Sequence, residues 1–234
     1  MKILDFGRNA YQFSLFFKFP CVSDQRVKEI LLRLAGESKA FQSVSKGEPP
    51  NLLTLSAGEG NESAPLFQLK VGTDSLTLFA GWFVSYEKWM KWRDSLVPVL
   101  AHVLVGIPNE LVLSVFTQCS SPIPADRAKR PAEIPELKYS LELFQRFLPS
   151  ENRERGNSYA AFSDAQGKRT VEWWLGGFVG VVPIPGYENV LLNTRLNILG
   201  GSADLRSVLE SHVLWSDNVL EKFHSNFLSL FIKT

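Results

Sequence analysis

Histidine and cysteine are the residue types in this chain with the widest range of chemistry. The histidines are His102, His212 and His224, and the cysteines are Cys21 and Cys119. A zinc site on a helix needs ligands four residues apart on one face, and a cysteine-based site needs closely spaced pairs. His212 and His224 would lie about 120° apart around a regular α-helix, and His102 belongs to another predicted helix. The spacing therefore predicts histidines on helix faces and no metal site.

The sequence carries no recognisable nucleophile or phosphate-loop motif. Neither cysteine lies in a context typical of a catalytic thiol, and no G-x-S-x-G is present. Gly176 and Gly177 lie in an apolar extended run without the Lys-Ser/Thr of a phosphate loop, which favours a bend in a strand. We therefore expect no cofactor and a protein that is not an enzyme. An enzyme or a nucleic-acid-acting component whose site cannot be seen in one sequence remains the alternative.

Two adjacent tryptophans give the most specific binding hypothesis. Trp173 and Trp174 would point to opposite faces of a strand, and the apolar neighbours of Trp173 make its side the expected core face. Glu172 shares the other side with Trp174, and Arg195 is expected nearby on the next strand. If helices cover one face only, Trp174, Glu172 and Arg195 lie on an exposed sheet face where aromatic residues often mark recognition. If both faces are covered, they mark no site.

Composition and charge narrow the class of protein. Of 234 residues, 45% are hydrophobic and 21% charged, which is typical of a globular chain. With 25 Lys and Arg against 24 Asp and Glu, no global field favours nucleic acid. The basic residues Arg127, Lys129 and Arg130 could contact phosphate, but a solvated loop is the preferred interpretation.

The length and charge of the apolar segments bear on where the protein is located. No run approaches the roughly 20 apolar residues that a membrane helix needs, and the N-terminus lacks the uncharged core of a secretory signal. Two cysteines in a chain of 234 residues are typical of a reducing compartment, so we expect both thiols to be unbridged. The sequence therefore predicts a cytoplasmic protein without a membrane partner.

The periodicity of apolar residues predicts the same order of elements twice. Residues 1–107 show strand, helix, three strands and helix, with a kink or break at Val97 before Pro98. Residues 108–234 repeat this order, with a Pro-rich linker over residues 122–135 between the first strand and the first helix. The predicted strands cover residues 11–19, 52–56, 66–71, 76–82, 111–117, 159–163, 170–182 and 190–198; the predicted helices begin near residues 24, 86, 136 and 204.

A duplicated order of this kind predicts one compact α+β unit, residues 1–234, with antiparallel sheet backed by helices. Cys21 and Cys119 fall just after the opening strand of each half. Two such halves side by side would form one larger curved sheet about a pseudo-two-fold axis. This arrangement resembles the TATA-binding-protein type of fold, a resemblance that concerns element order and implies no function.

Two segments carry a resemblance to a protein family. Ser85-Tyr86-Glu87-Lys88-Trp89 opens the middle helix, and Leu220-Glu221-Lys222-Phe223-His224 lies near the end of the last one. Together they resemble a sporadically distributed family of uncharacterised bacterial proteins of about this length. The resemblance implies a bacterial, cytosolic origin and no activity.

These observations favour a non-catalytic binding or regulatory protein. We expect it to recognise a protein partner or small ligand on the sheet face that carries Trp174, with nucleic acid and membrane not expected as partners. The sequence does not determine the oligomeric state.

Overall fold

Helices lie on one face of a nine-stranded sheet in this computed structural model, which describes residues 9–35, 41, 43–57, 67–81, 84–105, 107–108, 111–126, 128, 159–163, 169–177, 187–199 and 205–224. The strands are β1 (Ala10–Phe17), β2 (Ser43–Lys46), β3 (Asn51–Ala57), β4 (Phe67–Gly72), β5 (Ser75–Ala80), β6 (Val112–Pro124), β7 (Tyr159–Ser163), β8 (Arg169–Gly177) and β9 (Tyr187–Leu199). The helices are α1 (Asp24–Ala35), α2 (Tyr86–Val103) and α3 (Leu205–Val219), and a π-helical turn, Leu220–His224, follows α3.

The strand order is β2-β3-β4-β5-β1-β6-β9-β8-β7, and each neighbouring pair is antiparallel. β1 and β6 meet at the centre, where Phe13 pairs with Thr117. From this central pair outwards, the order is β5, β4 and β3 on one side, and β9, β8 and β7 on the other. The fold is therefore α+β with a large antiparallel sheet, as the sequence predicts.

Alternation along β1 determines which face of the sheet carries the helices. Tyr11 and Phe13 are buried, and their rings contact Trp89 of α2 at 5.7 Å and His212 of α3 at 5.9 Å. Ile30 of α1 belongs to the same apolar core. Burying each large side chain of this kind stabilises the fold by roughly 1.5–3 kcal/mol. The described helices therefore all lie on the side of Tyr11 and Phe13.

Helix α2 begins where the sequence predicts and does not break at Pro98. The Oγ of Ser85 accepts a hydrogen bond from the Lys88 amide, as an N-cap residue does. The helix continues through Pro98 to Val103, so of the predicted kink or break at Val97 the break does not occur. Leu96 and Leu100 are buried on either side of the proline, and this packing compensates for the amide hydrogen bond that proline cannot make.

Strand β6 is longer than predicted, because it extends into the segment expected to be a linker. Pro122 pairs with Leu191 of β9, and Pro124 pairs with Tyr187. The pairing of β6 with β1 ends at Ser120, so no strand among the described residues faces the two prolines on that side. Proline lacks an amide hydrogen and is tolerated in a strand where no such bond is needed.

Other boundaries differ by a few residues, and β2 was not predicted. All four residues of β2 are exposed, so no buried face signals a strand in the sequence. The α-helical part of α3 ends at Val219 and a π-helical turn follows to His224; the remainder of the final helix, predicted to residue 231, lies outside the described residues. The predicted helix over residues 136–147, and the end of the strand predicted over residues 170–182, lie outside the described residues.

Candidate functional site

The sheet side opposite the helices carries polar side chains on many neighbouring strands. We call this side the polar face. Its described side chains on the seven strands from β3 to β8 by way of the centre are Thr54, Ser56, Gln68, Lys70, Ser75, Thr77, Phe79, Gln12, Ser14, Phe16, Ser114, Phe116, Gln118, Ser120, Asn197, Thr170 and Glu172. Their assignment to one face follows from strand alternation and register.

One row of the polar face crosses five neighbouring strands. The register pairs Ser56 with Gln68, Gln68 with Phe79, Phe79 with Gln12, and Gln12 with Gln118. Adjacent strands are about 4.8 Å apart, so the row from Gln68 to Gln118 spans roughly 14 Å. This row places one aromatic ring between the amides of two glutamines.

Hydroxyl groups hold several of these amides in place. Gln12 Nε2 donates to Ser14 Oγ at 2.9 Å, and Ser14 Oγ lies 2.9 Å from Thr77 Oγ1. Gln68 Nε2 donates to Ser56 Oγ at 3.5 Å. Because Ser14 is fully buried, its hydroxyl forms a fixed support beneath the half-buried Gln12.

Aromatic rings border this row. Phe16 stacks on Phe116, with 5.6 Å between ring centroids and 19° between ring planes. Phe116 is buried, while Phe16 and Phe79 are half-buried. The polar face therefore presents two partly accessible phenylalanines beside its amides and hydroxyls.

The structure places the predicted site residues at matching register positions. Glu172 of β8 pairs with Arg195 of β9, and Arg195 pairs with Gln118 of β6 on its other side. Trp174 pairs with Asn193. Glu172 is half-buried; the side chains of Trp173, Trp174 and Arg195 lie outside the described residues. The register extends the row of amides with an acidic and a basic position, and their binding role stays a prediction.

A second polar cluster lies on the helix side of the sheet. Ser121 Oγ donates to Asn9 Oδ1 at 2.7 Å and lies 2.6 Å from His224 Nε2. Cys119 Sγ is 3.6 Å from the same nitrogen, and Asn9 Nδ2 donates to the Tyr11 hydroxyl at 2.9 Å. All five residues are buried.

The direction of these bonds argues against a catalytic serine. Because the hydrogen of Ser121 points to Asn9, the serine oxygen accepts from His224, which then carries its proton on Nε2. A general base must accept the nucleophile's proton instead. Burial lowers the pKa of His224 to about 3 and raises the pKa of Cys119 to about 12, so histidine and thiol are both neutral. The cluster is suited to packing, not to nucleophilic attack.

The π-helical turn explains how His224 reaches strand β6. In a regular α-helix His212 and His224 would point in different directions, as the sequence analysis assumed. In the wider i to i+5 turn over Leu220–His224, each residue advances fewer degrees around the helix axis than in an α-helix. His212 therefore contacts Thr117 at 3.0 Å, and His224 contacts Ser121 of the same strand. The expected angle of 120° is therefore wrong, because it assumed uniform helix geometry.

His212 is also neutral. Burial, together with the positive charges of Arg93 and Arg169, lowers the pKa of His212 to about 3. Within the part of the chain that the structure describes, no group of three or more His, Cys, Asp and Glu side chains could hold a metal ion. The histidines lie on the sheet-facing side of α3 and its π-helical turn.

An ion pair joins the two long helices. Arg93 of α2 is fully buried and donates to both carboxylate oxygens of Asp217 of α3, at 2.7 and 2.8 Å. Tyr86 donates its hydroxyl to the same carboxylate at 2.8 Å, and Asp94 accepts two further bonds from Arg93. Burial alone would lower the pKa of Arg93, but the bonds and charges of Asp217 and Asp94 raise it. The pair fixes α2 against α3.

Sequence reasoning missed the buried residues Asn9, Ser121 and Arg93 and the half-buried Asp217. Every fourth residue at the end of the chain's last described helix is buried, at His212, Ser216, Leu220 and His224. This spacing accompanies the π-helical turn, and it can be recognised only once the burial of each residue is known. Both cysteines are free, as predicted. None of the described helices is long and apolar enough to cross a membrane.

Comparisons with known proteins identify no family. No family model matches the chain, and no curated protein matches it. Among solved structures, the chain is similar to the regulatory subunit of aspartate kinase from Thermus flavus, with 10% identity over 90% of this chain and 94% of that chain. The TM-score is 0.24. Values this low support no inference about function.

Proposed function

We propose that this chain is a non-catalytic binding or regulatory protein that recognises a small ligand or a protein partner on the polar face. The observation that carries the proposal is the asymmetry of the sheet: the described helices all lie on the side of Tyr11 and Phe13, while half-buried hydrogen-bonding groups such as Gln12 and Gln118 line the opposite side. Trp174, Glu172 and Arg195 belong to this binding face in the proposal.

The chemistry of the buried cluster supports binding over catalysis. Among the described polar groups, Ser121 and His224 come nearest to a nucleophile and its base, and they are buried with the hydrogen bond in the wrong direction. Catalytic groups need pKa values near the working pH and access to substrate. An enzyme would have to use other residues.

We also propose that the halves 1–107 and 108–234 are structural repeats of one unit in the manner of the TATA-binding-protein type. The outward order β1, β5, β4, β3 on one side and β6, β9, β8, β7 on the other supports this, because each half then follows the same path. Superposition of β1–β5 with α2 on β6–β9 with α3 in an experimental structure tests it; non-corresponding strands would contradict it.

The bacterial and cytoplasmic assignments remain part of the proposal. In the family that the chain resembles, Tyr-x-x-Trp precedes the middle helix. Here Tyr86 bonds to Asp217, and Trp89 stacks on Tyr11. Such motif residues are structural, which fits a family defined by its fold more than by a reaction.

A ligand screen with face variants tests the proposed function. Thermal-shift screening of a metabolite library should yield at least one compound that raises the melting temperature of the native chain. Trp174→Ala and Glu172→Gln should weaken that shift and leave the ligand-free melting temperature nearly unchanged. Leu214→Ala, at an exposed position on α3, is the control. Ligands whose shifts survive both face variants would contradict the proposal.

A further inference from the structure

The central part of the polar face is free of charge. On β5, β1 and β6 its side chains are hydroxyls, amides and phenylalanines: Ser75, Thr77, Phe79, Gln12, Ser14, Phe16, Ser114, Phe116, Gln118 and Ser120. Lys70 lies further out on β4, and Glu172 pairs with the basic position Arg195. Nucleic acid binding depends on several lysines and arginines that neutralise phosphates. The central face therefore does not fit a phosphate-bearing ligand.

The composition of this surface also differs from a protein interface. The buried centres of protein interfaces are enriched in Tyr, Trp, Phe, Met and Arg and depleted in Ser. The centre of the polar face has phenylalanines but no Tyr, Trp, Met or Arg, and serine is its commonest residue. A ligand that matches it needs many hydrogen-bonding groups, no net charge and some apolar surface.

The side-chain oxygens of two glutamines indicate which hydrogen-bonding groups this ligand would carry. Gln12 and Gln68 donate through Nε2 to neighbouring serines, and their carbonyl oxygens accept no hydrogen bond within the described ranges. A side-chain amide whose nitrogen is held by the protein presents a fixed acceptor for a hydroxyl donor. Phe79 lies between these two glutamines in the register, and its ring can pack against a face of C–H groups.

We infer that the ligand of the polar face is a neutral oligosaccharide that lies across the strands along the row Gln68, Phe79, Gln12 and Gln118. This inference rests on the proposed function and adds the ligand class. Sugar hydroxyls donate to the side-chain oxygens of Gln12 and Gln68, and the apolar side of a sugar ring packs on Phe79. The row spans roughly 14 Å, at a strand spacing of about 4.8 Å, so it accommodates several sugar units.

Calorimetric titration with maltohexaose and cellohexaose tests this inference. We expect at least one of the two to bind the native chain. Gln12→Leu removes the acceptor at similar volume, and Phe79→Ala removes the ring; each should weaken binding about tenfold or more. Leu32→Ala, which removes an exposed apolar side chain on α1, is the matched control and should bind as the native chain does. Melting curves establish that each variant is folded.

The alternative probes are single-stranded oligothymidylate and an oligoalanine peptide. If neither hexasaccharide binds, or if binding survives both Gln12→Leu and Phe79→Ala, the inference is overturned. If one of the alternative probes binds and the same variants abolish that binding, the ligand class is wrong while the proposed function stands. Loss of the proposed function itself would appear in the library screen, whose compounds and variants are independent of these sugars.

Discussion

At the scale of single residues, two buried histidines make the protein sensitive to acid. His212 and His224 have pKa values of about 3 in the folded chain against 6.5 for the ordinary side chain, because burial disfavours the charged imidazole. Between these values the unfolded chain binds more protons than the folded one. Stability therefore rises with pH up to about 6.5 and falls as the pH drops below it.

The pH dependence of unfolding measures this effect. Between about pH 5 and 6, each histidine should contribute up to about 1.4 kcal/mol of unfolding free energy per pH unit. His212→Gln should reduce the slope by that amount, whereas Leu214→Ala, at an exposed position on α3, should leave it unchanged. Urea unfolding at several pH values gives the slopes. Equal slopes in the native chain and His212→Gln would contradict the assignment.

Removing one partner of the ion pair between Arg93 of α2 and Asp217 of α3 should lower the free energy of unfolding substantially. Asp217→Asn leaves Arg93 as a buried charge with weakened partners, so we expect a loss of about 3–5 kcal/mol. Glu210→Gln removes a carboxylate from the surface pair with Arg206 and should change stability by at most about 1 kcal/mol. Urea unfolding at neutral pH compares the two. Similar losses in both variants would show that Arg93 finds other partners.

At the scale of elements, local signals predicted most helices and strands. Strand β1 alternates buried and less buried residues, and α2 begins at a serine cap, so periodicity and capping were sufficient there. The sequence could not predict β2, whose residues are all exposed, or the π-helical turn, which depends on contacts of His224 with β6. Those features are determined by tertiary packing.

The cap of α2 gives a prediction at this scale. Ser85→Ala removes the acceptor of the Lys88 amide and should destabilise the protein by about 1 kcal/mol. Ser95→Ala lies in the same helix, where the serine hydroxyl is exposed and bonds to the Trp92 carbonyl, and it serves as the control. It should cost less, because alanine is the better residue inside a helix. Chemical denaturation compares the two; a larger loss in Ser95→Ala would contradict the capping role.

At the scale of the whole molecule, one-sided packing of helices gives the sheet two chemically different faces. The sequence predicted this division at β8, where Glu172 shares a face with the register position of Arg195. It did not predict the row through Gln68, Phe79, Gln12 and Gln118. Those residues come from four strands, and only the strand order and register bring them together. Their separate positions in the sequence carry no signal of that neighbourhood.

A binding role requires that the polar face is accessible to solvent, and two adjacent residues of β6 allow a direct test. Gln118 lies on the polar face and is half-buried, whereas Cys119 lies on the helix side, fully buried, with its thiol pKa raised to about 12 by burial. In a Cys21→Ser background, Gln118→Cys introduces a thiol next to the native one. Mass spectrometry after maleimide treatment of the folded protein counts the labelled thiols and locates them. We predict rapid labelling of the introduced thiol while Cys119 stays unmodified until the protein unfolds; an introduced thiol as protected as Cys119 would show that the face is covered and would contradict the account.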